Sequence, residues 1–340
     1  MKRILALVIP KLREIYRDKA GFVWNLVFPF VMLFVLIQTT GDTESFFKIG
    51  ELNHDTGSER ISVFDSLTKN EKISFDFKKI NSLKLGLDQL SAEKLDLVIN
   101  YRDQSYWMGD SSEKSKLLVY VIQSGKYGYY KDLRVMEHPS RNISYAMWVF
   151  PGIVVINILF SSLFGTGFTI SKYRKNGVLK RLYGTPLKKT EFLISQIIVR
   201  LLIVTAYILV IYFGGILFFD FKIQGSHFNM LILFVSGALC LIILGILLAS
   251  LSASEEGGGG IINVVLWPMM FLSPIWYSLD NSRKVIQIIS KFFPTTYMLD
   301  ATRGIMLEGT GLQENLFYIG VLLFMALIFL SITLFTFKWK

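Results

Sequence analysis

The 340-residue chain carries few groups able to do covalent chemistry. Its single cysteine, Cys240, lies inside an apolar run, so neither a disulfide framework nor a cysteine-based metal site is expected. Three histidines, His54, His138 and His227, are scattered without ligand spacing. No G-x-x-x-x-G-K-[ST] phosphate cradle occurs, and Gly125-Lys126 has no glycine five residues before it. The chain is therefore not read as an enzyme, and no cofactor is expected on it. What stands out instead is polar groups set in apolar runs. Arg200 lies inside such a run, where a cation is costly unless paired, turned into a bundle or snorkelling to an interface. Asn157 and Asn263 are uncharged polar groups that can bond across helices or contact a passing substrate.

The elements holding these residues are membrane spans. The composition is 52% hydrophobic, and the apolar residues gather in runs of about 20, enough to cross a hydrocarbon core of roughly 30 Å. Six spans are predicted, at about 20–40, 144–171, 192–219, 228–251, 260–279 and 316–337. Pro268 and Pro274 break the fifth, which is expected to be bent or partly re-entrant. The opening apolar patch is short, interrupted by Pro10 and followed by charges, so the chain is read as mature from Met1.

Charge sets the expected orientation. Residues 1–19 hold six Lys/Arg, and 172–190 hold seven with no acid, whereas Lys222 is the only Lys/Arg in 220–227. The positive-inside rule then places both termini and 172–190 in the cytoplasm of a cell (inner) membrane protein. The net charge of +10 is explained this way, with no nucleic-acid partner. Three regions follow: 1–41, an interfacial helix and the first span; 42–142, an outer domain; and 143–340, a five-span membrane domain. The outer segment balances fifteen Lys/Arg against sixteen Asp/Glu. Its extended candidates (46–52, 72–78, 95–100, 117–122) mix with helical ones (57–69, 82–91), which predicts a small α/β domain. The fold class is thus an α-helical polytopic membrane protein of six transmembrane helices, with a small α/β extracytoplasmic domain between the first and second spans. Asn142-Ile143-Ser144 matches a glycosylation sequon but abuts a span and is read as chance.

Two segments carry a family resemblance. The first, SKYRKNGVLKRLYGTPLKKTEFLISQ (171–196), resembles the cytoplasmic coupling segment of ABC type-2 exporter permeases through Gly177, Leu179, Leu182, Thr185, Pro186 and Leu187. The second, 263–309, is similar to the same family's bent fifth span and return, through Asn263, Pro268, Met269, Phe271, Leu272, Ser273, Pro294, Arg303 and Gly304. There are departures. Many relatives carry acids around the coupling glycine, where this chain has Tyr173, Arg174, Lys175 and Lys180, and Pro274 stands where a glycine commonly follows Ser273.

The resemblance implies an export permease driven by separate ABC ATPase subunits, which bind the ATP and Mg, and paired with a second permease copy in the lipid bilayer. Coupling residues would be Lys175, Gly177, Leu179, Lys180, Leu182, Thr185, Pro186 and Leu187; the alternative is a positive loop that only sets orientation. Asn157, Phe160, Phe164, Asn263, Trp267, Met270 and Phe271 are the expected translocation path, suited to an amphiphilic or apolar cargo such as a drug, lipid or peptide, or else plain helix-packing groups. Gly257 and Gly258, in SASEEGGGG (252–260), read as a hinge or a flexible connector. With Pro268 and Pro274, the amphipathic return 281–300, including Phe292, Phe293 and Pro294, reads as a gate or an interfacial anchor. An ATP-independent secondary transporter or channel is the alternative. It should place ionisable groups at mid-membrane, where only Arg200 is available. A membrane-anchored envelope or signalling protein would need neither six spans nor a coupling-like loop.

Overall fold

A computed structural model describes residues 7–13, 19–39, 46–52, 74–91, 95–100, 105–109, 115–116, 118–119, 134–138, 145–219, 221, 223–252, 254–277, 279 and 282–339. The chain divides into two compact units, Met1–Gln38 with Ala146–Lys340, and Thr39–Tyr145.

The first unit is helical. Its long apolar stretches fold as α1 (Lys19–Thr39), α3 (Tyr145–Lys175), α5 (Lys189–Phe219), α6 (His227–Ser250), α7 (Glu255–Leu272) and α10 (Leu312–Thr336), with α2 (Leu83–Ser91) lying in the other unit. Among the described residues, four helices are long and apolar enough to cross a membrane: Ala146–Lys175, Lys189–Phe219, His227–Ser250 and Leu312–Thr336. Asn25–Leu36 and Glu256–Leu272 are shorter apolar helices. The chain is therefore a polytopic membrane protein, because helices of this length and hydropathy satisfy their backbone internally and have no other solvent to face. Short helices α4 (Val178–Tyr183), α8 (Lys284–Ser290) and α9 (Pro294–Arg303), and a π-helical turn Gly304–Glu308 ended by Gly309 at φ 76°, join them.

Small residues let the helices meet. A β-carbon at Gly245 of α6 would lie 3.1 Å from the Leu163 Cα and the Ser162 carbonyl of α3, so these two helices touch backbone to backbone. Helix α10 packs along α6, where Cys240, Ile243 and Ala326 form a buried cluster. The lone thiol is thus a core group.

In the second unit five strands, β1 (Phe46–Leu52), β2 (Ser74–Ile80), β3 (Leu97–Asn100), β4 (Ser105–Gly109) and β5 (Arg134–His138), form one mixed sheet in the order β2-β1-β3-β4-β5. Strand β1 runs parallel to β2 and β3, β4 pairs antiparallel with β3, and β5 is parallel to β4. The central strand β3, LVIN, is buried throughout, as a strand covered on both faces must be. Phe47, Ile49, Leu97, Ile99, Tyr106 and Met108 form a core with Leu118 and Val119. Leu52, Ile80 and Val98 form another with Leu90 of helix α2 (Leu83–Ser91).

Several expectations shift. The strand expected at 117–122 is helical at Leu118 and Val119, and β4 and β5 were not anticipated. The helix expected at 57–69 lies outside the described residues. The helix of the fifth expected span begins at Glu255 and ends at Leu272, so 273–277 is a turn, not a span end. Gly257 and Gly258 accordingly lie inside the first turns of α7 and not in a connector. The Ser254 hydroxyl caps this helix by accepting from the Gly257 N–H at 3.0 Å, and Gly258 is buried with its α-carbon against Ser171. Cap and close fit together override the low helix propensity of glycine.

Candidate functional site

The basic segment after α3 is built around one glycine. Gly177 adopts φ 66°, a left-handed conformation that interrupts the helix and lets α4 start in a new direction. Helix α4 is only six residues long and closes at Gly184, whose N–H donates to the Arg181 carbonyl at 3.2 Å, while the Thr185 N–H donates to the Leu182 carbonyl at 3.0 Å. The Thr185 hydroxyl donates to the Leu182 carbonyl at 2.6 Å, and the Glu191 carboxylate accepts from the Lys188 N–H at 2.9 Å, capping α5. Leu179 is 1% exposed. It packs inside this chain, so its side chain is not on the surface where a docking residue was expected. Leu182, Leu187 and Gly177 are half-buried, while Lys175, Lys180, Arg181, Thr185, Pro186 and Lys188 are exposed. A patch of cations is thereby held outward by one inward leucine. Beneath it the helical stretch 7–13 brings Lys11 over the Tyr173 ring, 4.6 Å from its centroid.

Arg200 turns into the bundle. Its Nε donates to the Ser161 carbonyl of α3 at 2.7 Å, and its Nη2 donates to the same carbonyl and to the Ser161 hydroxyl, the latter at 3.0 Å. This pairing with a neighbouring helix replaces the snorkelling that its position near the helix start allowed. Gly165 makes the room, since a β-carbon there would overlap the guanidinium. Replacing Gly165 with Val should therefore strip the cation of its partners at a cost of about 3 kcal/mol, the usual price of a lost charged hydrogen bond plus steric overlap. A fall of several degrees in the unfolding midpoint of the purified protein is the expected reading, and an unchanged midpoint removes this fit.

The two asparagines differ. Asn157 Nδ2 donates to the Asn25 carbonyl of α1 at 2.8 Å and so ties two helices, whereas Asn263 Nδ2 donates to Gly259 of its own helix at 3.0 Å. Asn263 thus bonds back along α7 and does not bridge helices through this amide. Aromatic rings line one side of α3, with Phe160–Phe164 and Phe164–Phe168 centroids 5.7 and 5.1 Å apart. The Phe168 ring lies against Gly259 of α7, 3.3 Å from where its β-carbon would sit. On α7 the exposed large apolar residues are Val264, Trp267 and Phe271, at 73, 47 and 50%, with the two rings stacked 5.9 Å apart. Met269 and Met270 are buried inside the chain, so Met270 is not exposed beside Trp267 and Phe271 as was expected of a path residue.

The return after α7 is pinned by Ser273 and Arg303, which carry part of the family resemblance, together with Thr295, Thr296 and Trp148, which the sequence did not single out. The Ser273 and Thr295 hydroxyls meet at 2.6 Å, and the Thr296 hydroxyl donates to the Ser290 carbonyl at 2.7 Å, all buried. Arg303 donates from Nη1 to the Pro274 carbonyl at 2.7 Å and from Nη2 to the Ile275 carbonyl at 3.2 Å, with its guanidinium 3.7 Å from the Trp148 ring centroid. Pro268 lies inside α7, and Pro274 and Pro294 are buried, the latter opening α9 after Phe293. Val285, Ile288, Ile289 and Phe292 are exposed along α8 and its exit. Hydroxyls at Thr295 and Thr296 beside a helix-starting proline were the readable signal, but their partner Ser273 lies over twenty residues away.

Residues 99–307, more than half of the chain, match the family described as ABC-2 type transporter. Among curated proteins, the chain is 22% identical over 182 residues to the "Probable multidrug ABC transporter permease YbhR" of Escherichia coli strain K12, and equally to that of Escherichia coli O157:H7. The aligned stretch covers 54% of this chain and 50% of each relative, so the chain spans about half the length of the curated relatives it matches.

Proposed function

The chain belongs to the ABC-2 type transporter family, and from that premise we propose that it is the membrane subunit of an ATP-driven exporter. The observation carrying this reading is the outward cationic patch on α4 and its flanks, held by Leu179 and redirected at Gly177. A helix this short and exposed buries little apolar surface of its own and fits a docking role. ATP and Mg are bound and turned over by separate ABC ATPase subunits. Because exposed cations surround α4, the ATPase cleft that receives it is acidic. Association is therefore weakened by salt, as screening between exposed charges predicts.

Six spans are proposed, with α1 and α7 completing the four longer ones. α1 has 21 residues, about 31 Å of helix, and α7 has 18, about 27 Å. Residues 1–19 and 172–190 face the cytoplasm of the cell membrane, and residues 42–142 form an extracytoplasmic domain. Two permease copies meet along the seam of Phe160, Phe164, Trp267 and Phe271, and an amphiphilic or apolar cargo (a drug, lipid or peptide) moves outward there. The buried Met270 and helix-bonded Asn263 contribute through packing. The apolar face of Val285, Ile288, Ile289 and Phe292 sits in the outer interface beside Phe293 and Pro294. Arg200 is engaged by Ser161, which leaves no free mid-helix cation at that position for a coupling-ion site.

Co-purification with an ABC ATPase tests this reading. A complex that dissociates as salt is raised from 0.1 to 0.5 M, with permease-dependent ATP turnover, is expected; an ATPase that never binds sinks it. In the same preparation, Cys240→Ser carrying N176C should be labelled from the ATPase side, and one carrying K84C from the other.

A further inference from the structure

We propose that the stretch following α10, through Phe337 and Trp339, is a positioning clamp that bolts together the two feet of the 176–188 segment; this rests on reading that segment as the ATPase-coupling element. The first foot is Arg174, in the last turn of α3. Its Nη1 donates to the Ala249 carbonyl at 3.0 Å and to the Ser252 carbonyl, so the guanidinium sits on the carboxyl end of α6. Carbonyls there lack intrahelical donors, and the helix dipole favours a cation. The end of α6 is in turn tied to the end of α10, where the Ser250 and Thr336 hydroxyls meet at 2.8 Å.

One residue further on, the chain crosses to the second foot. Phe337 and Trp339 are buried, and with Phe192 of α5 they form a closed aromatic trio with centroids 5.4 to 5.8 Å apart. Phe192 itself is buried. The Lys189 ammonium donates to the Phe337 carbonyl at 3.3 Å, and the Phe337 N–H donates to the Thr333 carbonyl at 2.8 Å. Arg174 and Phe192 lie on either side of the segment, and each is anchored on the same α6–α10 end. A tilt imposed on α4 then moves α3, α5, α6 and α10 together instead of being absorbed by fraying at one foot. Aromatic contacts of this kind add to the stability given by area burial alone and hold a helix start that local opening would otherwise loosen.

The test uses the full chain in nanodiscs. Hydrogen exchange of amides 176–196 should be at least fivefold faster in the double variant Phe337→Ala/Trp339→Ala, though neither substitution lies in that segment. Trp339→Phe should restore the wild-type rate. Leu322→Ala, a buried truncation in α10 that is outside the clamp, should lower the unfolding midpoint without raising exchange at 176–196. With an ABC ATPase added, the double variant should bind within threefold of wild type yet lose at least fivefold of the permease-stimulated ATP turnover. Unchanged exchange in the double variant, or an equal rise in Leu322→Ala, overturns the clamp, as does retained stimulation. If the wild type binds no ATPase, the coupling reading falls, while the exchange comparison still decides the clamp.

Discussion

Leu179→Asp should abolish the folded permease, whereas Lys180→Glu/Arg181→Glu should leave it folded and reduce ATPase binding at least tenfold. The two sites are neighbours in sequence but not in environment. Leu179 is buried, so aspartate there loses apolar burial and places a carboxylate without a partner, together costing about 4 kcal/mol or more. That is a large share of a typical stability. Lys180 and Arg181 are exposed, so their reversal costs the fold roughly 0.5 kcal/mol or less. The same reversal turns attraction into repulsion at an acidic cleft, where like-charge juxtaposition costs several kcal/mol. Monodisperse expression and binding to immobilised ATPase separate the two effects. A Leu179→Asp protein with a normal midpoint would contradict its burial, and normal binding by the double charge reversal would leave the patch with an orienting role only.

The long helices were legible because hydrophobic runs of span length have few alternative fates, and five of the six expected spans begin within about four residues of a helix that the structure contains. The start of α7 was not legible. Four consecutive glycines read locally as a break, and only the Ser254 cap and the fit of Gly258 against Ser171 make them helical. Leu179 and Leu182 look alike in sequence, yet one is buried and the other half-buried, a difference set by tertiary contact and not by periodicity. The fate of Arg200 depended on Gly165 in another helix. Trp148, Thr295 and Phe337 were invisible for the same reason: each acts through a partner distant in the chain. Local chemistry announces groups that can bond, but the partner is chosen by the fold.

Arg303→Met should destabilise the membrane unit by about 4 kcal/mol or more and release the return that follows α7. The guanidinium holds two consecutive carbonyls, Pro274 and Ile275, and stacks on Trp148 of α3. Those carbonyls lie in a turn, outside any helical ladder, and Pro274 has no N–H to offer in exchange. Methionine keeps most of the side-chain volume but leaves both acceptors short of their charged donor, a loss of about 1.5–3 kcal/mol per charge-assisted bond before any relaxation. The cation–π contact adds roughly 1 kcal/mol where it is shielded from water. Lysine should recover part of this, because an ammonium can reach one carbonyl and the ring but cannot fork across two acceptors. The expected order of unfolding midpoints is therefore wild type, then Arg303→Lys, then Arg303→Met. The Ser273, Thr295 and Thr296 hydroxyls remain in all three, so α9 should persist while the turn at 273–277 loosens. Thermal unfolding of the purified variants gives the order, and hydrogen exchange across 273–293 locates the loosening. If Arg303→Met unfolds at the wild-type temperature, the two carbonyl bonds and the Trp148 contact are not what holds the return in place.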